Sequence, residues 1–165
     1  MPRVVALLRG INLGANRRIK MADLREVFTD LGYEDVRTVL ASGNVIYTGD
    51  TDRAKIEQAL EARFGFQVDV ILRTMDELHQ VVTNCPFNPS DLKKAFVVFL
   101  REPPDTSALE GRDFAPDEWA VNGHELYTYC PDGMARSELM NELSRARKGP
   151  TATVRNLSTV TKLLE

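Results

Sequence analysis

One segment of this sequence combines the residue types that bind anions. Residues 9–20 carry four cations and no acidic side chain, namely Arg9, Arg17, Arg18 and Lys20. Gly10 and Gly14 stand in the same stretch, where glycine lets a ligand approach the backbone closely. Because Arg and Lys would add charge-assisted hydrogen bonds, the segment predicts a site for a phosphate or carboxylate group. A solvated basic loop has the same composition and is the alternative interpretation.

A second polar segment is predicted to face this loop. Val36 to Ala41 and Val45 to Thr48 have strand-forming composition, and Ser42-Gly43-Asn44 between them supplies turn residues. In a β-α-β-β-α-β unit the end of the first strand and the hairpin between the second and third strands share one sheet edge. We therefore expect the loop and the turn to line one pocket.

Standard catalytic motifs are missing from the sequence. The Gly10 and Gly14 spacing fits neither the dinucleotide fingerprint nor the phosphate loop, and Ser42 lacks the glycine pattern of a nucleophile elbow. His79 falls in a predicted amphipathic helix and His124 follows a tight turn, so neither has a predicted orienting partner. Whether the protein is an enzyme stays open, and no cofactor is indicated.

The cysteines and the composition predict a cytoplasmic protein. Cys85 and Cys130 stand apart without metal-ligand spacing, so we expect reduced thiols and no metal site. No apolar run approaches the roughly 18 residues that span a bilayer. With 165 residues and 43% hydrophobic residues, the chain can bury a core as a single domain. Its net charge of −3 disfavours unspecific nucleic-acid binding.

Charge is distributed unevenly along the chain. Residues 102–118 form an acidic stretch, which we interpret as a solvated face rather than a paired acid and base. Residues 145–162 are basic again and include Arg155. Trp119, Tyr127 and Tyr129 on a predicted hairpin leave nucleic-acid stacking as a disfavoured alternative, because a core role explains them better.

The elements that must position these residues follow from periodicity. The first half predicts a strand at Val4–Leu8, a helix at 21–31, the hairpin described above, a helix capped by Thr51 or Asp52, and a strand near Val70. Thr74 and Glu77 have capping-box spacing for a further helix. The first half is therefore predicted to be β-α-β-β-α-β.

The second half is predicted to follow a looser version of the same plan. A strand at 95–100 precedes a hairpin around Asn122-Gly123, then a helix at 137–147 and a final helix capped by Asn156 or Ser158. We expect an α+β fold of two ferredoxin-like, split β-α-β subdomains with antiparallel or mixed sheets, packed as one compact unit. The subdomains are predicted at about 1–73 and 92–165, joined by a helical segment at 74–91.

Several segments resemble one family. Leu7 to Gly14, Ile19 to Leu24, Val36 to Thr38 and Ser42 to Val45 resemble the family called domain of unknown function 1697, in order and in spacing. Residues 152–156 and 159–164 resemble its closing motif. Leu157 and Ser158 stand where the family usually has Trp and Asn, and Ala15 where it often has Gly. The resemblance implies an α/β fold of ferredoxin-like halves and brings no established activity.

The resemblance emphasises the residues that the charge argument selects and adds two near the C-terminus. The candidate ligand-binding residues are Arg9, Gly10, Asn12, Arg17, Lys20, Ser42, Gly43, Asn44, Arg155 and Asn156. Structural roles in turns, caps and ion pairs would explain the same residues. The predicted function is binding of an anionic small molecule. The alternatives are a protein-interaction or homo-oligomeric module and an enzyme that uses the same pocket.

Overall fold

Two four-stranded antiparallel sheets organise the protein. A computed structural model describes residues 1–12, 17–41, 43–88, 91–133, 136–145 and 152–165. The chain divides into two units, Met1–His79 and Gln80–Glu165, each with one sheet. The fold is α+β, as the sequence predicts. Among the described residues, no helix has the length and apolar character needed to cross a membrane.

The first unit has the split β-α-β order. Its elements are β1 (Arg3–Leu8), α1 (Met21–Asp30), β2 (Glu34–Val39), β3 (Asn44–Thr48), α2 (Arg53–Phe64), β4 (Val70–Thr74) and α3 (Met75–Thr83), the last extending beyond the unit. The strands lie in the order β2-β3-β1-β4, consistent with a ferredoxin-like arrangement. β1 is central, which explains its nearly continuous apolar sequence.

Local signals set the ends of the helices in this unit. The Asp52 side chain accepts a hydrogen bond from the Lys55 amide (3.1 Å), and α2 ends at Gly65, whose φ is 79°. At α3, the Thr74 hydroxyl accepts from the Glu77 amide (3.1 Å), and the Glu77 carboxylate accepts from the Thr74 amide (2.9 Å). The predicted capping box is therefore present.

The core of the first unit lies between the sheet and its helices. Alternate residues of β1, namely Val4, Ala6 and Leu8, pack in one cluster with residues of α1 and α2 such as Leu24, Phe28, Ile56 and Leu60. The opposite face of the sheet carries Val5, Leu7 and Ile46, which are also fully buried. Burial of both faces explains why β1 lacks the polar alternation of a half-exposed strand.

The second unit repeats this sheet order. Its elements are a short 3-10 helix (Leu92–Lys94), β5 (Ala95–Leu100), β6 (Glu118–Asn122), β7 (Glu125–Tyr129), α4 (Glu138–Arg145), β8 (Ala152–Asn156) and α5 (Leu157–Leu163). The strands lie in the order β6-β7-β5-β8. Asn122-Gly123 forms the predicted hairpin turn, and the Asn156 side chain caps α5 by accepting from the Thr159 amide (2.8 Å).

Two predicted boundaries are wrong. β2 ends at Val39 and β3 begins at Asn44, so Leu40 and Ala41 belong to the turn and Asn44 to a strand. No strand was predicted at Ala152–Asn156, where β8 pairs with β5. This strand carries a buried arginine and a buried threonine, Arg155 and Thr153, so it lacks the apolar run by which strands are recognised.

The two sheets place a buried arginine at equivalent positions. Arg73 on β4 pairs with Val5 of β1, and Arg155 on β8 pairs with Val97 of β5. Each donates to the carbonyl of the residue before it, at 2.9 Å in both cases. Each also immediately precedes the residue that caps the next helix. This match reveals a structural repeat that the residues alone do not show.

Candidate functional site

The β1–α1 loop and the β2–β3 turn meet at one edge of the first sheet. The Leu8 amide donates to the Gly43 carbonyl (2.9 Å), and the Asn12 side-chain amide donates to the Ala41 carbonyl (2.9 Å). The α2–β4 connection reaches the same edge, because the Arg9 amide donates to the Asp69 carbonyl (3.0 Å). Three separate loops are thus joined by hydrogen bonds where the sequence predicts a pocket.

Gly43 is required by close packing between the turn and the loop. Its φ of +97° lies in the left-handed region, and a Cβ atom there would lie 2.8 Å from Ile11 Cδ1 and 2.9 Å from Leu8 Cβ. Any larger residue would push the turn away from the loop. The role of Gly43 in the structure is therefore to allow this contact.

Asn12 joins one end of the loop to the other end and also to the turn. Its side-chain amide donates to the carbonyls of Ile19 (3.1 Å) and Ala41 (2.9 Å), while its side-chain oxygen accepts from the Ile19 amide (2.8 Å). The Asn12 backbone amide also donates to the Arg17 carbonyl (3.0 Å). Both donor hydrogens of the side chain are occupied, so Asn12 positions the loop.

Arg17 is held by backbone carbonyls and an aromatic ring. Its Nε donates to the Gly10 carbonyl (2.9 Å), and one terminal nitrogen donates to the Gln67 carbonyl (2.8 Å). The guanidinium also lies over the Phe66 ring, 4.8 Å from the centroid. Arg17 therefore fastens the loop to the α2–β4 connection.

Arg9 has an acidic neighbour outside its own loop. One terminal nitrogen of Arg9 lies 3.7 Å from a carboxylate oxygen of Asp69, and both side chains are partly exposed. This carboxylate belongs to the connection before β4, far from Arg9 in sequence. The charge of Arg9 is thus partly compensated within the first unit.

Lys20 and Arg18 line an open pocket beside this edge. The pocket has a volume of about 470 Å³, and its lining residues are Asn12, Arg18, Ile19, Lys20, Met21, Asp23, Ala41 and Phe64. Both cationic side chains are exposed. Within the described part of the chain, neither side chain makes a hydrogen bond or an ion pair. Arg18 was not among the predicted ligand-binding residues.

The remaining predicted residues have structural contacts or lie outside the description. Asn44 is fully buried and donates to the Val39 carbonyl (2.8 Å). Ser42 lies outside the described residues. Arg155 and Asn156 belong to the second unit, where Arg155 donates to the Thr153 hydroxyl (2.7 Å) and Asn156 caps α5. Burial removes water from the charged guanidinium and lowers the pKa of Arg155 from 12.5 to about 10.

Backbone strain is concentrated at the pocket edge. Among the described residues other than glycine, four have positive φ, and three of these lie in the loop or the turn: Asn12 (55°), Arg17 (60°) and Leu40 (62°). Left-handed backbone costs a residue with a side chain about 1–2 kcal/mol. Such conformations persist where surrounding contacts impose them, which is common at binding sites.

The histidines and cysteines lie away from the β1–α1 loop in the sequence. Among the described residues, no group of three or more His, Cys, Asp or Glu side chains has an arrangement that could hold a metal ion. His79 and His124 are both exposed. Cys85 and Cys130 are free thiols, and burial raises the pKa of the Cys130 thiol.

These features define an α+β protein with two four-stranded antiparallel sheets of the same strand order and a basic loop at one sheet edge. The chain belongs to the family described as protein of unknown function (DUF1697), whose sequence profile matches residues 1–127. This confirms the resemblance for the N-terminal segments, while the closing motif lies outside the matched residues.

A solved structure supports the fold over nearly the whole chain. A conserved bacterial protein from Streptococcus pneumoniae is similar to this chain with a TM-score of 0.80 and 22% sequence identity. The match covers 98% of this chain and 96% of that protein. At this identity the likeness establishes the fold alone. No curated protein matches the sequence.

Proposed function

We propose that the first unit binds a small organic anion in the pocket beside the β1–α1 loop. The observation that carries this proposal is the pair of exposed cations, Arg18 and Lys20, on the lining of one pocket. Two like charges held at one concave surface favour a ligand of opposite charge. Of the residues selected from the sequence, Lys20 would contact the ligand directly.

The strained loop gives these cations a defined position. Asn12 and Arg17 donate four side-chain hydrogen bonds. Two of them, to the carbonyls of Ala41 and Gln67, attach the loop to the turn and to the α2–β4 connection, and two join residues within the loop. A site that is ordered before binding loses less conformational freedom when the ligand arrives. Asn12, Arg17 and Gly43 would thus support binding without supplying the main ligand contacts.

The start of α1 adds a favourable electrostatic contribution. Lys20 occupies the N-cap position without a side-chain hydrogen bond to the first turn, and Met21 and Asp23 line the pocket. Helix N-termini carry partial positive charge and attract anions. Asp23 is the acidic residue in the lining. Its carboxylate lies 3.5 Å from a terminal nitrogen of Arg63, whose guanidinium is shared with Glu26 (3.2 Å), so the charge of Asp23 is compensated in part.

The proposal is tested by thermal stabilisation and calorimetric titration with inorganic phosphate, phenyl phosphate and phenylacetate. At least one anion should raise the melting temperature, because binding to the folded state stabilises it. Arg18→Gln and Lys20→Gln should each weaken binding about tenfold, the loss expected for one charge-assisted hydrogen bond. Affinity should also fall as salt concentration rises.

Arg25→Gln is the matched control. Arg25 is an exposed cation on α1 that does not line the pocket, so its removal changes net charge equally. Its affinity for the anions should equal that of the wild type. Equal losses of affinity in all three variants would indicate general charge attraction. If none of the anions stabilised the protein, the proposal would be wrong.

A further inference from the structure

We infer that the ligand of this pocket carries an apolar body beside a single anionic group, as in an aryl or alkyl phosphate or carboxylate. This inference rests on the proposed function and specifies its ligand. Four lining residues are apolar, namely Ile19, Met21, Ala41 and Phe64. Inorganic phosphate could not use this part of the surface.

The apolar part of the lining is supported by the core of the first unit. Ile19 is 5% exposed and belongs to the core cluster, while Met21 and Phe64 pack against that cluster. The Phe64 ring also lies 6.4 Å from the Phe66 ring, and Phe66 in turn lies under the Arg17 guanidinium. These contacts hold the apolar surface in place, so an apolar ligand group would find a formed wall.

The polar side chains of the lining are mostly engaged elsewhere. Asn12 uses its side-chain amide and oxygen for the backbone of Ile19 and Ala41. Asp23 lies next to Arg63. Arg18 and Lys20 therefore remain as the side chains that can contact a ligand by charge. A sugar or polyol body would find an acceptor at Asp23 but no hydrogen-bond partner along the apolar side chains of the lining, where it would lose hydrogen bonds to water.

The charge and size of the pocket agree with this class of ligand. Two cations can share one phosphate or carboxylate group. The volume of about 470 Å³ falls in the range of small-molecule sites and exceeds the space that an inorganic ion occupies. Transfer of the ligand's apolar surface from water to this wall would supply the part of the affinity that a small ion lacks.

The inference is tested by titrating the whole chain with four probes that separate head group from body. Phenyl phosphate has the charged head and an apolar body, glycerol phosphate has the same kind of head and a polar body, inorganic phosphate has the head alone, and benzyl alcohol has no charge. Phenyl phosphate should bind about tenfold more tightly than the other two phosphates, since ring burial adds apolar contact. Benzyl alcohol should not bind measurably.

Met21→Gln tests the apolar wall in the protein itself. Met21 is partly buried at the start of α1, and Gln has similar length and helix propensity. The variant should lose most of the preference for phenyl phosphate over inorganic phosphate. Met21→Leu, which keeps the apolar surface, should retain the preference, and circular dichroism would verify the fold of both variants.

The outcomes distinguish this inference from the proposed function. Equal affinity for phenyl phosphate and inorganic phosphate would overturn the apolar body and leave the anion site intact. Tighter binding of glycerol phosphate would also overturn it, in favour of a polar ligand. A preference that Met21→Gln leaves unchanged would show that the ring binds elsewhere. Failure of all three phosphates, together with phenylacetate, would overturn both the inference and the proposed function.

Discussion

The segments that follow the first strand of each sheet differ in charge although the sheets share one strand order. In the first unit, residues 9–20 carry four cations and no acid. In the second unit, residues 102–118 carry six acidic side chains and Arg112. The β-sheets determine where these segments begin and end, and the segments determine which ligands each edge attracts. Function in this fold therefore depends on loop sequence.

The two segments also use their polar groups differently. In the first, Asn12 and Arg17 bond to backbone of distant segments, at Ala41 and Gln67. In the second, Asp105 and Asp113 accept from amides two residues further on, at 3.0 and 2.9 Å. The second segment also has distant partners, which lie at the start of α4: the Ser137 hydroxyl donates to Asp117 (2.6 Å), and Arg112 lies 3.2 Å from Glu138. The bonds of Asp105 and Asp113, in contrast, only shape local turns. Substitution of Asn12 or Arg17 should therefore have larger effects than substitution of Asp105 or Asp113.

The largest contrast is expected between the hairpin glycines of the two units. In Gly43→Ala, a φ of +97° is combined with contacts of 2.8 and 2.9 Å between the added Cβ atom and the side chains of Ile11 and Leu8. We expect the free energy of unfolding to fall by about 3 kcal/mol. In Gly123→Ala the φ is +61° and the nearest atom is Glu125 Oε2 at 3.9 Å, so strain alone should cost about 1 kcal/mol. Urea denaturation of both variants measures the difference. Equal losses would show that the turn does not press on the loop.

The second contrast compares a side chain with distant partners and one with a local partner. Asn12→Ala removes three side-chain hydrogen bonds to Ile19 and Ala41, and we expect about 2 kcal/mol of destabilisation. Asp113→Ala removes one exposed bond to the Ala115 amide and should cost below about 1 kcal/mol. Chemical denaturation gives both values. A larger loss for Asp113→Ala would reverse the order of the two segments.

The third contrast concerns the segments that follow β3 in the first unit and β7 in the second, which we call the corners. In the first unit, Asp50 accepts from Lys55 Nζ (2.8 Å) and from the Tyr33 hydroxyl (2.7 Å). The Lys55 hydrogen bond, followed by that of Tyr33, lowers the pKa of Asp50 from 3.8 to about 2. In the second unit the corner is held by the Ser137 hydroxyl, which accepts from the Met140 amide (3.0 Å).

The lowered pKa predicts a pH-dependent contribution from the first corner. Because the folded state favours ionised Asp50, its contribution is complete above the unfolded pKa of 3.8 and is lost as pH falls towards about 2. The advantage of wild type over Asp50→Asn should shrink across that window in urea denaturation, from a value below about 1 kcal/mol for this partly exposed group. An advantage that does not change with pH would contradict the role of the ionised carboxylate.

Sequence reasoning succeeded where the signals are local. The ends of α2 could be predicted because Asp52 and Gly65 act on their own helix termini. The meeting of loop and turn could be predicted from element order. β8 could not, because burial of Arg155 depends on tertiary surroundings. The different roles of Arg17 and Arg18 could not be predicted either, because they are adjacent residues of the same type. Only the folded chain brings the carbonyls of Gly10 and Gln67 to Arg17, which donates hydrogen bonds to both.

The smallest effect is expected at Arg9, which tests how far the candidate site extends. Arg9 lies 3.7 Å from Asp69, with side-chain exposures of 37% and 31%, so Arg9→Gln should cost less than about 0.5 kcal/mol in urea denaturation. Arg9 does not line the pocket of Arg18 and Lys20, so its loss should leave the affinity for phenyl phosphate nearly unchanged. A tenfold weaker affinity in Arg9→Gln would extend the site across the loop. The basic segment could then no longer be divided into residues that position the loop, such as Arg17, and residues that contact the ligand, such as Arg18 and Lys20.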